Sequence, residues 1–407
     1  MNSLLDRAEK YFKTDIRYII NGGFWLTSAK ILSSVASLIS SVAFANLLPE
    51  ETYGTFRYVL SVASLLAIPT LHGIETALTR SIAKGNMGDI NLALRTRIKW
   101  GLWGGLASLA LAGYYYWAGN NILCLSFLIT AIFTPFMDSF HLYASVLNGR
   151  KKFNSLAKDE VMTRMSVSLL LVAIVFFSDN VLLIILAFFL TTTVFRFFIL
   201  SYHLRNEKSN DQSDPDIINY GKHLTAVGIF SRFSTQLDKI LIFQTVSGSA
   251  LAAFFLALIP LKLTQNILGG LNMLAMPKFS ASSKEQIKRT LPKKVARLYI
   301  FVIPIIICFI LISPYIYNFL YPLYPESILM SQLLFLQLLL FPLALFSTAI
   351  TAFQEKKKLY IYSSFFAFVR IGLLLVLVPT YGVFGAVTAI ITTSAISNIV
   401  LIILFFR

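Results

Sequence analysis

Charge is scarce in this chain, and acid is scarcer than base. Only 13% of the 407 residues are charged, with 19 Asp and Glu against 35 Lys and Arg, while 57% are hydrophobic. A soluble domain carries about 25% charged residues, so this composition excludes one. Cysteine is nearly missing: the chain has two. Cys124 and Cys308 both fall in apolar stretches and read as buried thiols, which excludes a disulfide scaffold. Long polar loops are also missing. None exceeds roughly 25 residues, too few for an extramembrane catalytic domain. No phosphate-binding loop, nucleophile elbow, dinucleotide fingerprint or metal-ligand spacing occurs. An ATP-driven pump is therefore unsupported, and no cofactor is expected. No cleavable signal peptide is read: Asp6, Arg7, Glu9, Lys10, Lys13, Asp15 and Arg17 make the first 20 residues an amphipathic cytoplasmic lead-in.

Apolar length is what the chain has in abundance. Hydropathy divides it into about twelve segments near the ~20 residues that span hydrocarbon. They are read as 24–45, 55–78, 98–118, 122–147, 153–178, 181–203, 221–245, 250–275, 297–320, 327–353, 359–378 and 383–406. The expected fold class is an all-α polytopic membrane protein. The connections alternate in charge. Segments 1–23, 79–99, 148–161, 204–222, 277–297, 354–358 and Arg407 hold 27 of the 35 basic residues, and the opposite set holds none. Lys and Arg near helix ends resist translocation, so the basic side and both termini are read as cytoplasmic. The net charge of +16 is then largely a topology signal, and nucleic acid is not an expected partner.

The longest hydrophilic break, Arg205 to Lys222, falls at the midpoint. It reads as a linker between an N-lobe over 1–204 and a C-lobe over 223–407, each of six helices. A weak repeat agrees with that division. Asn148-Gly149-Arg150-Lys151-Lys152-Phe153 matches Gln354-Glu355-Lys356-Lys357-Lys358-Leu359, and the same spacing maps Arg164 onto Arg370. An even number of helices separates the halves, so the repeat is parallel.

Ionisable groups inside apolar spans cost at least ~2.5 kcal/mol each and need a reason. The candidates are Lys30, Asp138, Arg164, Arg196, Arg232, Asp238, Lys239, Lys262 and Arg370. Cations outnumber acids, an imbalance that an anionic ligand would resolve. Lys30, Arg164, Arg196, Arg232, Lys262 and Arg370 are therefore the candidate substrate-binding residues. Polar stripes recur at helical spacing beside them. Thr27, Lys30, Ser34, Ser37 and Ser41 make one. Thr134, Asp138, His141 and Ser145 make another, and Lys262, Gln265 and Asn266 a third. Asp138, His141, Asp238 and Glu75 are candidates for ion coupling or internal salt bridges. Glu75 and His72 are expected to pair with Arg80 or Lys84, and Asp238 with Lys239. Pro69, Pro135, Pro260, Pro304, Pro314 and Pro342 mark expected bends. Tyrosines 114–116 with Trp117, and Tyr315, Tyr317, Tyr321 and Tyr324, read as interfacial belts.

The stretch Phe44-Ala45-Asn46-Leu47-Leu48-Pro49-Glu50-Glu51-Thr52-Tyr53-Gly54-Thr55-Phe56, with Gly73 and Ala77-Leu78-Thr79-Arg80, resembles the first hairpin of O-antigen and polysaccharide flippases. Gln236-Leu237-Asp238-Lys239-Ile240-Leu241-Ile242, with Pro260, Gly270 and Pro277, resembles the start of their second half. These belong to the multidrug/oligosaccharidyl-lipid/polysaccharide exporter superfamily. The resemblance implies two six-helix lobes in a V around a central cavity. It implies transport of an undecaprenyl-pyrophosphate-linked glycan across the bacterial inner membrane to the periplasmic leaflet. Membrane lipid, a proton or sodium counter-ion, and the polysaccharide polymerase with its chain-length machinery are the partners it implies. Arg forks and Lys charge suit a pyrophosphate. Two alternatives stand: a multidrug or cation antiporter of the same fold, which should carry an acidic cavity, and a membrane polysaccharide polymerase, which should carry a long external loop.

Overall fold

The computed structural model describes residues 16–206, 210, 212–280, 282–353 and 355–407. The expected lead-in lies, up to residue 15, outside the described residues. Among the described residues every regular element is helical. In chain order they are α1 (Ile16–Leu47), α2 (Glu50–Leu66), α3 (Gly73–Ala83), α4 (Asp89–Trp117), α5 (Asn121–Met137), α6 (Tyr143–Gly149), α7 (Phe153–Phe177) and α8 (Val181–Asn206). They continue as α9 (Ile217–Thr245), α10 (Gly248–Ser280), α11 (Lys284–Leu320), α12 (Ser327–Phe335), α13 (Ala344–Ala352) and α14 (Lys356–Phe406). Eight helical stretches of the described residues are long and apolar enough to cross a membrane, and a bent α2–α3 pair makes a ninth. The chain is an all-helical multi-span membrane protein.

Three expected spans are broken. The span expected at 55–78 stops at Leu66, turns as a 3-10 segment over Ile68–Thr70 and restarts at Gly73. Pro69 lies in that turn. The span expected at 122–147 breaks after Pro135, with a 3-10 turn at Phe140–Leu142. The span at 327–353 carries a 3-10 run, Leu336–Leu343, that includes Pro342. A proline takes away a backbone donor, so these tighter turns reroute the freed carbonyls. By contrast, α11 runs on through Pro304 and Pro314. The last two expected spans form one helical run interrupted at Gly382, whose φ of 59° is left-handed.

The chain packs as two compact units. One comprises Ile39–Phe243 with Ser247–Ala252; the other comprises the described residues up to Leu38, Gln244–Val246 and Ala253–Arg407. In the 39–243 unit, Leu71, Ile74, Leu78, Ile82, Leu142, Val146 and Ile217 form a buried core. The segment read as a linker is strapped onto the α3–α4 turn. Asn210 Nδ2 donates to the Gly85 carbonyl at 2.8 Å, Gly88 N to the Gln212 carbonyl at 3.0 Å, and Asp214 N to Asp89 Oδ2 at 3.0 Å. At the far end, Glu51 accepts from Gly248 N at 3.2 Å and Ser249 N at 3.0 Å. A carboxylate at the α10 N-terminus opposes the helix dipole favourably. Gly54 makes that approach possible: a Cβ there would stand 1.8 Å from the Gly248 carbonyl oxygen.

The 253–407 unit has its own core, with Ile287, Leu291, Val295, Phe346, Ile350, Leu401 and Phe405. Beside it Glu355 bridges Lys284 and, at 2.7 Å, Lys358. Burial pushes the Glu355 carboxyl up, but hydrogen bonds and charge from the two lysines outweigh it and hold the group below the usual carboxylate range. The folded value is thus below the unfolded one, near pH ~4.3. Its stabilising contribution is present above that pH and lost as pH falls through the folded value. Melting curves from about pH 6 to about pH 3 should therefore decline more steeply for the wild type than for Glu355→Gln. Parallel declines would remove the ion-pair assignment.

The aromatic belts need correction. Tyr114, Tyr116 and Trp117 are exposed, but Tyr115 is buried and stacks on Phe127, with ring centroids 5.5 Å apart. Tyr317, Tyr321 and Tyr324 are also buried, and Tyr317 donates to the Leu256 carbonyl. Helical rotation turns Tyr115 and Tyr317 into the core, and the turn after α11 folds Tyr321 and Tyr324 inward beside Tyr317.

Candidate functional site

A continuous polar cluster lies inside the 39–243 unit. Arg97, on α4, is fully buried, and its Nη1 donates to Glu75 Oε1 of α3 at 2.7 Å. The same carboxylate oxygen lies 3.5 Å from His141 Nδ1. His141 Nε2 reaches Glu160 Oε1 of α7 at 2.8 Å, and the Tyr143 hydroxyl donates to that oxygen at 3.0 Å. Arg164 Nε stands 3.9 Å from Glu160 Oε2, one turn along α7. A second branch centres on Asp138. Its Oδ1 accepts from Arg196 Nη1 of α8 at 3.1 Å, and its Oδ2 lies 3.2 Å from His72 Nε2. Three carboxylates thus face three guanidinium groups and two imidazoles. His141 has a carboxylate oxygen near each ring nitrogen, Glu75 at 3.5 Å and Glu160 at 2.8 Å.

The helix breaks build this cluster. After Pro135 the amide of His141 bonds back to the Asp138 carbonyl as a 3-10 turn, at 3.2 Å. The Met137 carbonyl is thereby released, and Arg196 Nη1 takes it at 2.9 Å. Close packing does the rest. Gly101, Gly104 and Gly105 continue the buried face of α4 that begins at Ala93 and Arg97. A Cβ at Gly104 would stand 2.1 Å from the Leu66 carbonyl oxygen, so the backbones touch and Arg97 is carried inward. Arg97 Nε and Nη2, Arg196 Nε and His72 Nδ1 are buried without hydrogen-bond partners.

Glu75 and His72 do not pair with Arg80 or Lys84 as expected. The 3-10 turn over Ile68–Thr70 and the left-handed Leu71 break the α-helical register, so both side chains face α4 and the α5–α6 turn. Arg97 and Glu160 were missed as members because each lies near a basic segment assigned to a cytoplasmic connection. The signal was present for Arg97: it lies within the stripe of Ala93, Gly101, Gly104 and Ser108 at helical spacing. The reading of a membrane-embedded cation excess changes accordingly. Arg196 and Arg164 face carboxylates, and Lys239 Nζ reaches Asp238 Oδ1 at 3.1 Å and the Thr235 carbonyl at 2.7 Å.

The remaining candidates lie outside the cluster. In the 253–407 unit, Asn266 Nδ2 of α10 donates to Ser34 Oγ of α1 at 3.1 Å. Two stripes seen in the sequence therefore meet, with Lys30 one turn from Ser34 and Lys262 one turn from Asn266. Lys30 is exposed, and Lys262 sets its ammonium 5.4 Å from the Phe255 ring centroid. Arg370 lies over the Phe366 ring at 6.0 Å. In the 39–243 unit Arg232 is exposed on α9.

A family described as polysaccharide biosynthesis protein matches residues 19–283. No curated protein sequence matches the chain. Among solved structures, the lipid II flippase MurJ in an inward closed conformation superposes with a TM-score of 0.73 at 16% identity, covering 93% of this chain and 86% of that one. An outward-facing multidrug resistance MATE family transporter of the MOP superfamily gives 0.63 at 15% identity, covering 94% and 93%. A MOP superfamily transporter from Pyrococcus furiosus gives 0.60 at 16% identity, covering 94% of both chains. At these identities the likeness is one of fold.

Proposed function

The chain belongs to the polysaccharide biosynthesis protein family, and from that premise we propose that it flips an undecaprenyl-pyrophosphate-linked oligosaccharide from the cytoplasmic to the periplasmic leaflet. The carrying observation is a cationic candidate set on a flippase-type fold. Lys30, Arg232, Lys262 and Arg370 stand apart from the charge-balanced cluster, and the fold neighbours include a lipid II flippase. A pyrophosphate offers about two negative charges and many acceptor oxygens to such groups. Sugar hydroxyls find partners in Ser34, Asn266 and the stripes they belong to. The reading includes N- and C-lobes over 1–204 and 223–407, cytoplasmic termini and an inner-membrane location. No bond is broken, so the activity is transport.

The test is complementation of a strain that lacks the protein. Wild type should clear lipid-linked single units from the cytoplasmic leaflet and restore surface glycan. Arg232→Ala, Lys262→Ala and Arg370→Ala should each slow flipping by about tenfold, because a hydrogen bond to a charged group is worth about 1.5–3 kcal/mol. Membrane abundance should not change. Normal surface glycan from the triple variant would overturn the cationic binding role. The MATE neighbours favour a second reading, a cation antiporter. Efflux of organic cations by the wild type, with no change in lipid-linked sugar, would select it.

A further inference from the structure

We propose that a cleft in the 39–243 unit holds the polyprenyl chain of the lipid-linked substrate, an inference that rests on the transport reading above. The cleft measures about 460 Å³ and is lined by Ile68, Pro69, Leu71, Trp100, Trp103 and Ile229, with Thr225 at its edge. That volume falls in the ~300–1,000 Å³ range of ligand sites.

The backbone shapes this cleft. α2 stops at Leu66 and the chain turns through Ile68–Thr70. Leu71 then takes φ 57° and ψ 62°, a left-handed conformation that disfavours a branched side chain. α3 restarts pinned to α9, with Gly73 N donating to Thr225 Oγ1 at 2.9 Å. Gly73 also lies so close to α9 that a Cβ would stand 2.3 Å from the Gly221 carbonyl oxygen. Two straight helices would interdigitate their side chains and close such a gap. Here the break holds one wall back, while Trp100 and Trp103 of α4 stand partly exposed along the other.

Charge at one end selects the occupant. Lys222 lies one turn before Thr225 on α9 and sets its ammonium 5.1 Å from the Trp100 ring centroid. Lys99, beside Trp100 in sequence, is exposed. An apolar cleft with a cationic end matches a lipid with an anionic head. On the proposed topology that end faces the cytoplasm, where the substrate starts. The isoprenoid chain is apolar along its length and suits the two indole faces, while its anionic head suits Lys222.

Photo-crosslinking tests this with full-length protein in nanodiscs and a benzophenone-tagged polyprenyl pyrophosphate. Label should fall in peptides that contain 68–71 or 100–103. Unlabelled polyprenyl pyrophosphate should compete, and equimolar phosphatidylglycerol should not. Ile229→Trp, which fills the cleft, should cut labelling about tenfold. Lys222→Ala, at an exposed position, should raise the half-labelling concentration of the pyrophosphate lipid about fivefold and leave that of a neutral polyprenol unchanged. Label spread evenly over lipid-facing helices, or displaced equally by phosphatidylglycerol, overturns the proposal. Liposome flipping separates the two readings. A wild type that flips no polyprenyl-pyrophosphate glycan removes the transport reading itself. A wild type that flips, with Ile229→Trp equally fast, removes the cleft alone.

Discussion

Arg97→Ala should destabilise the 39–243 unit by about 3–5 kcal/mol, the usual cost of breaking a buried ion pair from one side. Arg97 has no exposed side-chain surface and stands 2.7 Å from Glu75. Truncation leaves the Glu75 carboxylate with His141 at 3.5 Å and leaves a void the length of an arginine. A loss of about 3–5 kcal/mol is a large share of a typical stability of about 5–15 kcal/mol and predicts poor membrane accumulation. The informative comparison is Arg97→Met with Glu75→Gln. That pair removes both charges at similar volume and should recover much of the loss. Detergent melting curves and membrane abundance give the measurement. Wild-type stability in Arg97→Ala would show that the cluster carries no structural weight.

Asp138→Asn should abolish the response of flipping to an imposed proton gradient while lipid-linked sugar still binds. Asp138 sits where two basic side chains converge, the Arg196 guanidinium at 3.1 Å and the His72 imidazole at 3.2 Å. Changing its charge alters the balance of both branches of the cluster. Asparagine keeps an acceptor for Arg196, so the local fold has a means to persist. The competing account is a fixed Asp138–Arg196 bridge with no part in coupling. It predicts a lower melting temperature and an unchanged gradient response. Reconstituted liposomes distinguish them: a variant that responds to proton and sodium gradients as the wild type does excludes Asp138 as the coupling residue.

These two predictions concern residues the sequence exposed unequally. Asp138 was visible because a carboxylate in an apolar span is rare and costly. Its partners were not. Arg97 and Glu160 lie at the edges of basic connections, where a charge has an ordinary explanation as a topology anchor. The third dimension assigns them, because helix rotation and the breaks at 67–72 and 138–142 decide which edge residues turn inward. Helix rotation likewise turns Tyr115 and Tyr317 from expected belts into core residues, and the turn after α11 does so for Tyr321 and Tyr324. By contrast, the stripes on α1 and α10 were legible at helical spacing, and Asn266 does meet Ser34.

By itself the sequence determined the membrane class, the helical content and the approximate spans. Those follow from apolar length and from the need of every backbone amide for a partner in lipid, and both are local properties. It also supplied the motifs that resemble polysaccharide flippases. Only the tertiary structure decided that Glu75 serves Arg97 and His141, that Asp138 serves Arg196 and His72, and that Trp100 and Trp103 border a cleft. Each of these joins residues far apart in the chain through helices whose rotation depends on proline breaks and glycine contacts. A periodicity gives the face of a helix, but the neighbour on that face is chosen by packing.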